Sequence, residues 1–348
     1  MRSELQVVGP QAIASGTTVA DLTEQQLIAR IEARLPPAPD WMLVGIGDDA
    51  AVVEPERNRV EVLTIDALVE GVHFDRRFTP PDAIGHRALA VNLSDLAAMG
   101  AAPRLALLSL ALPSSLTLED FDLMTSAVAA LAARYRVHVA GGNLTRSPGP
   151  LMIDIVAIGT VKRRQALTRA GARPGDEVYV TGTIGAAAAG LQMLKTPGRE
   201  VAAGCIERYL RPEPRVRVGL LLSRNRAASA CIDLSDGLAD GLHQIADASG
   251  VGIVVRADQV PFDEVALQWL ASEGPDPSLQ AMTKGDDYEL LFTVRPSQRG
   301  RLKAAGRCGG VPVTRIGVCT ADRALVLRHG IGEAIVDRPL PRGYSHFR

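Results

Sequence analysis

The 348 residues leave room for two domains or one large one, and an apolar share of 47% is ample for a core. With 38 basic against 39 acidic residues the formal net charge is −1, so the chain carries no basic footprint for nucleic acid. No apolar run is long and charge-free enough to span a bilayer, and the start lacks the basic-then-apolar order of a signal peptide, so we expect a soluble cytoplasmic protein with no membrane and no nucleic-acid partner.

Residues 1 to about 20 are small and polar (Gly9, Pro10, Ser15, Gly16, Thr17), and we expect a poorly ordered extension there. Thr23, with Gln26 three residues on, forms a capping box that starts a helix. Leu27, Ile28, Ile31 and Leu35 give that helix an apolar stripe, and Pro36-Pro37 end it. Gly45-Ile46-Gly47-Asp48-Asp49 leads into an apolar strand at Val52-Val53. Val60 to Ile65 reads as another strand, with Asp66 at its end and Glu70-Gly71-Val72-His73-Phe74 beyond. Taken singly, such a site also reads as an ordinary Asp- and Gly-rich turn.

Residues 82–99 predict a helix closed by Gly100, on which Asn92 and Asp95 share a face. Asp95 lies among Ala and Leu, where an unpaired acid is costly, so either a cation partner or a surface position is required. Leu105 to Leu112 is a buried-type strand, and 117–135 is an amphipathic helix with Leu118, Phe121, Met124, Val128, Leu131 and Tyr135 on one side. Val137 to Ala140 then runs into Gly141-Gly142-Asn143, which has the shape of a phosphate-binding loop without the Walker A pattern. Leu151 to Val161 is a long strand, and 162–175 reads as a domain junction. Its cations Lys162, Arg163, Arg164 and Arg169 are a solvated run, or else one of them faces polyphosphate.

The second half restarts with strand Glu177 to Thr181 and a glycine-rich helix start at 182–185. Ser229 to Ile232 is a short apolar run ending at Asp233, followed by Ser235, Asp236 and Gly237. From Leu238 the spacing of Leu242, Ile245 and Ala246 is helical, with Gly250 as its stop. Asp233, Ser235 and Asp236 thus gather at a strand end beside a helix start. There they either cap the helix or hold Mg²⁺ and, through it, phosphate. Lys284-Gly285-Asp286-Asp287 precedes a further strand, strands near 313–318 and 324–328 finish the fold, and the tail is Gly343-Tyr344-Ser345-His346-Phe347. Cys205, Cys231, Cys308 and Cys319 form no CxxC pair and read as buried free thiols of a reducing compartment. One acid-bearing turn beside a strand or helix is noise, whereas their recurrence argues for a shared polyanion and metal site.

Taken together, the strings GIGDDAAV, TIDALVEGVHF, VNLSDLAAMGA, GGN, ALTRAGARPGD, IDLSDG, GDDYELLF and GYSHF stand here in the order found in the thiamine-monophosphate kinase family. From about residue 20 onward the chain resembles that family, within the superfamily of aminoimidazole ribonucleotide synthetase. The resemblance implies an α/β (α+β) two-domain fold: an N-terminal mixed sheet that forms a barrel in a homodimer, and a C-terminal α/β sandwich. The divisions expected are an extension at 1–20, an ATP- and Mg²⁺-binding dimerisation domain at 21–162 and a C-terminal domain at 163–348. The activity implied is direct transfer of phosphate from ATP to thiamine monophosphate, with several Mg²⁺ ions and no covalent nucleophile.

Carried over position by position, the resemblance implies Mg²⁺ ligands at Asp48, Thr64, Asp66, Asp95, Asn143, Asp233 and Asp236. It implies ATP contacts at Gly142, Asn143, Arg169 and Ser235, and contacts to thiamine monophosphate at His73, Asp286 and Tyr344. Two positions depart from the family pattern. Asn143 stands where the family often has Asp, keeping an oxygen donor but losing a charge, and Lys284 replaces a small residue. The chemistry suits the residues, since bringing two anions together is mostly positioning and charge neutralisation. Among rivals, selenophosphate synthetase wants a reactive Cys in the N-terminal glycine loop, and no Cys precedes Cys205. A hydrogenase-maturation relative ends in Cys, whereas this chain ends in Arg348. Aminoimidazole ribonucleotide synthetase or a non-catalytic nucleotide-binding module are the remaining alternatives.

Overall fold

The computed structural model describes residues 16–343 apart from 197, 199–201 and 331–334. Most of the expected N-terminal extension lies outside these residues, but its last part is ordered, contrary to expectation. Thr18 bridges Thr117, and Val19 is buried, with its N–H donated to Leu116 O at 2.9 Å. The first half then runs α1 (Glu24–Glu32), β1 (Met42–Val44), β2 (Val52–Val53), β3 (Arg59–Val69), α2 (Pro81–Ala98), β4 (Ala102–Pro113), α3 (Leu118–Tyr135), β5 (His138–Ser147) and β6 (Met152–Lys162). The second half runs β7 (Glu177–Thr181), α4 (Ala186–Lys195), α5 (Ala203–Leu210), α6 (Val216–Arg224), β8 (Ala230–Asp233), α7 (Leu238–Ser249) and β9 (Gly252–Arg256). It closes with α8 (Glu264–Leu270), α9 (Pro277–Thr283), β10 (Leu290–Val294), α10 (Arg299–Gly309), β11 (Val313–Thr320), β12 (Leu325–His329) and β13 (Val336–Pro339).

Beside the small β1–β2 ribbon, two mixed sheets result. The first has the order β3-β6-β4-β5, with only the β4–β5 pair parallel. The second has the order β13-β12-β9-β11-β7-β10-β8, with only β9–β12 parallel. Strands β9 and β13 were not foreseen. Period-2 alternation puts Ile153, Ile155 and Ala157 of β6 into the core under α2 and α3, and leaves Leu63 and Ile65 of β3 exposed on the other face. Helix α2 is buried nearly all round because it also packs on α6 and β8 of the second half. Local signals hold at the ends of elements. Thr23 and Gln26 cap α1 reciprocally, and Gly250 closes α7 in the left-handed conformation (φ 69°).

Three expectations are corrected. Asp66 is not at a strand end but inside β3, paired with Ile155, because the strand continues to Val69. Gly141-Gly142-Asn143 is not a loop but the middle of β5. A Cβ on Gly142 would lie 1.9 Å from the Leu108 carbonyl oxygen, so glycine serves the close approach of β5 to β4. Of the four thiols, Cys205, Cys231 and Cys319 are buried, but Cys308, on α10, is exposed.

Candidate active site

Two distant motifs are sewn together by backbone hydrogen bonds at the end of β8. Leu234 N–H donates to Glu289 O at 2.9 Å, Tyr288 N–H to Leu234 O at 3.0 Å, and Asp286 N–H to Ser235 O at 2.8 Å. Helix α2 passes beside this junction, and β3 lies beneath α2. Between them opens a cleft of about 1000 Å³, whose walls include Asp66, His73, Arg87, Asp95, Asp233, Ser235, Asp236 and Asp286. That volume suits a ligand of nucleotide or cofactor size.

One end of the cleft is acidic. Asp66 from β3, Asp95 from α2 and Asp233 from β8 converge, and Asp66 and Asp95 share a hydrogen bond. Thr64 donates its hydroxyl to Asp95 Oδ2, and Ser94 donates to Asp233 Oδ2 at 2.7 Å. Burial, then the neighbouring carboxylates, pushes the Asp66 carboxyl well above its usual range. Burial also raises Asp95, and burial followed by the charge of Asp95 raises Asp233. Arg169 opposes it at both, as Thr64 does at Asp95 and Ser94 at Asp233. Asp154 of β6, opposite Ala67 on the far face of the sheet and outside the cleft, adds its charge to Asp66 from behind and keeps a buried Oδ1 with no partner among the described residues. Among the described residues, no three His, Cys, Asp or Glu side chains are drawn together tightly enough to hold a metal ion unaided. The crowding of Asp66, Asp95 and Asp233 nonetheless suits a hard cation that brings its own phosphate oxygens, as Mg²⁺ commonly does.

The other end is built on Arg87 and His73. Val69 N–H donates to His73 Nδ1 at 3.0 Å, which makes Nδ1 an acceptor and places the neutral ring's proton on Nε2. Arg87 is buried and ion-paired with Asp286. Lys284 also lines the cleft, its Nζ 3.3 Å from Gln280 Oε1. Behind this wall, fully buried Glu289 receives Arg208 Nη2, Arg215 Nε and Thr181 Oγ1, each at 2.6 Å. Asp287 accepts from Gly185 N–H at 3.0 Å at the start of α4, and burial pushes its carboxyl up to about 7.

Of the residues singled out from sequence, the cleft gathers Asp66, His73, Asp95, Asp233, Ser235, Asp236 and Asp286, with Thr64 touching it through Asp95. Arg169 is exposed but near enough to act on Asp95 and Asp233. Asp48 is exposed between β1 and β2, and Gly142 and Asn143 are exposed on edge strand β5, none of them lining the cleft. Tyr344 lies outside the described residues. The sequence alone does not single out Arg87, Ser94 or Tyr288 as parts of this site. Of these only Arg87, a lone cation in the apolar run of α2, carried a local signal.

Residues 47–161 match the profile of the AIR synthase related protein, N-terminal domain, and residues 173–330 that of the AIR synthase related protein, C-terminal domain. The chain is therefore an AIR synthase related protein, carrying that family's N-terminal and C-terminal domains in order. A thiamine-monophosphate kinase of Bacillus subtilis (strain 168) is 36% identical over 312 residues, spanning 88% of this chain and 94% of the relative. The crystal structure of thiamine-monophosphate kinase from Stenotrophomonas maltophilia K279a superposes with a TM-score of 0.76 at 39% identity, covering 88% of this chain and 96% of that one. A structure described as AaThiL complexed with AMPPCP and TMP superposes with a TM-score of 0.72 at 31% identity, covering 96% and 100%. The chain belongs to the thiamine-monophosphate kinase family. Among the described residues no helix is long and apolar enough to cross a membrane.

Proposed function

We propose that this chain transfers the terminal phosphoryl group of ATP to thiamine monophosphate, giving thiamine diphosphate and ADP, as a cytoplasmic enzyme. The observation that carries this reading is a single cleft with three crowded carboxylates at one end and the Arg87–Asp286 pair at the other. The relative bound to AMPPCP and TMP supports it, since that pair combines a nucleotide analogue with an acceptor.

In this reading a phosphate oxygen of the acceptor forms a bond to the γ-phosphorus while the bond from that phosphorus to the β-bridging oxygen breaks, and ADP leaves. The acceptor oxygen is already ionised near neutral pH, so no residue serves as general base or covalent nucleophile. Asp66, Asp95, Asp233 and Asp236 would hold Mg²⁺, with Thr64 orienting Asp95 and Ser94 orienting Asp233. Bound Mg²⁺ supplies neutralisation of the polyphosphate charge. Arg169 adds a fixed positive fork at the same end, and Ser235 offers a hydroxyl beside Asp236. His73 and Asp286 face the acceptor. Asp48, Gly142, Asn143 and Tyr344 enter through the family resemblance and not through the cleft. The apolar outer face of the first sheet, with Leu63 64% and Ile65 60% exposed, supports a homodimer closed across that face.

ADP release measured with and without thiamine monophosphate, and again after chelation of divalent cations, tests the proposal. Acceptor-dependent release that chelation abolishes is expected. Release that ignores thiamine monophosphate would leave a nucleotide-binding module or a different kinase.

A further inference from the structure

Arg87 and Asp95 are eight positions apart on α2, about 12 Å of helix rise, so one rigid element delivers both residues to the cleft. Arg87 is held on three sides. Its Nη1 donates to Tyr209 O at 2.7 Å, its Nη2 donates to Asp286 Oδ1, and its guanidinium lies 4.7 Å from the Tyr209 ring centroid and 5.7 Å from that of Tyr288. Asp286 (φ 74°) and Tyr288 (φ 49°) are both left-handed, a conformation that non-glycine residues keep only where their surroundings over-determine it. The backbone bonds to Leu234 and Ser235 and the grip of Arg87 supply that constraint.

The pair is asymmetric. The Arg87 side chain is 3% exposed, whereas that of Asp286 is 28% exposed and lines the cleft. Tyr288 Oη also donates to Asp286 Oδ1, at 3.5 Å, and Oδ2 receives no hydrogen bond among the described residues. In the Arg208–Glu289 and Arg299–Glu177 pairs the carboxylate is the buried member, whereas here the carboxylate is the member that faces the cleft. Here a charge-compensated carboxylate is held in one orientation with one oxygen left for a ligand. Compensation by Arg87 weakens its pull on a bare cation and leaves a directional acceptor for an N–H donor.

We propose that Arg87 is a positioning residue: it aims Asp286 at the exocyclic amino group of the acceptor's aminopyrimidine ring, so that the pair selects an amino-bearing acceptor over its oxo counterpart. This rests on the acceptor reading above, and turnover of thiamine monophosphate by the unmodified enzyme tests that reading separately. Given that turnover, Michaelis constants for ATP, thiamine monophosphate and its 4-oxo analogue, oxythiamine monophosphate, are measured for Asp286→Asn, Arg87→Met and the double variant, beside melting curves. Asn tolerates the left-handed conformation, so Asp286→Asn should fold. It should raise KM for thiamine monophosphate by about tenfold or more and shrink the preference for the amino acceptor. KM for ATP should stay within about twofold. Arg87→Met should act in the same direction, and the double variant should lose no more than the worse single one, because Arg87 works through Asp286. Should Arg87→Met not fold, Asp286→Asn with the two acceptors decides alone. Unchanged discrimination in Asp286→Asn, equal loss for ATP and acceptor, or additive losses in the double variant would overturn the proposal.

Discussion

Asp95→Asn should make the cation-free protein more stable while stopping its chemistry. Asn keeps the volume of Asp and an oxygen for the Thr64 hydroxyl, but drops one of three crowded charges. Asp66 is pushed from the ordinary 3.8 up to about 7 by burial first and by Asp95 next. A carboxyl whose folded pKa is raised contributes stability that is complete below its unfolded value. That contribution is lost as pH rises through the folded value. At 1.36 kcal/mol per unit the whole loss for Asp66 has a ceiling of about 4 kcal/mol by pH 8. Burial takes the larger part and survives the substitution, so about 1 kcal/mol is the expected gain. Chelator-treated enzyme and variant are compared by urea unfolding at pH 8 and pH 5. The variant should be more stable at pH 8, and the difference should shrink at pH 5 as the carboxyls protonate. Turnover with Mg²⁺ should fall by at least about 100-fold. A variant less stable than the parent at pH 8 without cations, or one that retains near-normal turnover, would refute the reasoning.

Glu289→Gln leaves half-buried Arg208 and Arg215 without their countercharge and should lower unfolding free energy by about 1–3 kcal/mol in urea titrations. A loss below about 1 kcal/mol would mean the network relaxes around the amide. Gly142→Ala drives a Cβ into the Leu108 carbonyl and should destabilise by about 1–3 kcal/mol with or without nucleotide. Loss of ATP affinity at unchanged stability would instead make Gly142 a ligand contact. A thiol reagent should modify Cys308 quickly in the native protein and reach Cys205, Cys231 and Cys319 only on unfolding, which peptide mapping by mass spectrometry reads directly. Rapid modification of any of those three would contradict their burial.

Local chemistry was legible where an element ends on a residue with one conformational role. The Thr23–Gln26 box, the strand Glu177–Thr181 and the Gly250 stop of α7 stand where the residues put them. Strand continuity was harder. An acid usually marks the edge of a strand, yet β3 runs through Asp66 because Thr64, Asp66 and Leu68 point in alternation toward α2 and the cleft. Gly141-Gly142 resembled a loop because glycine's freedom and its smallness look alike in sequence, and here smallness decides. Of the site, the acids that sit in recurrent turns were found. Asp286 was identified, but its partner Arg87 lies 199 residues away on a helix of the other half, and no local periodicity connects them.

The most direct measurement is separation and quantitation of products after incubation with ATP, Mg²⁺ and either thiamine monophosphate or the open-chain precursor of aminoimidazole ribonucleotide. Thiamine diphosphate forming in step with ADP from the first acceptor, and no ring closure of the second, is the expected result. Ring closure of the second, or ADP without thiamine diphosphate from the first, would contradict the assignment of this cleft to thiamine monophosphate.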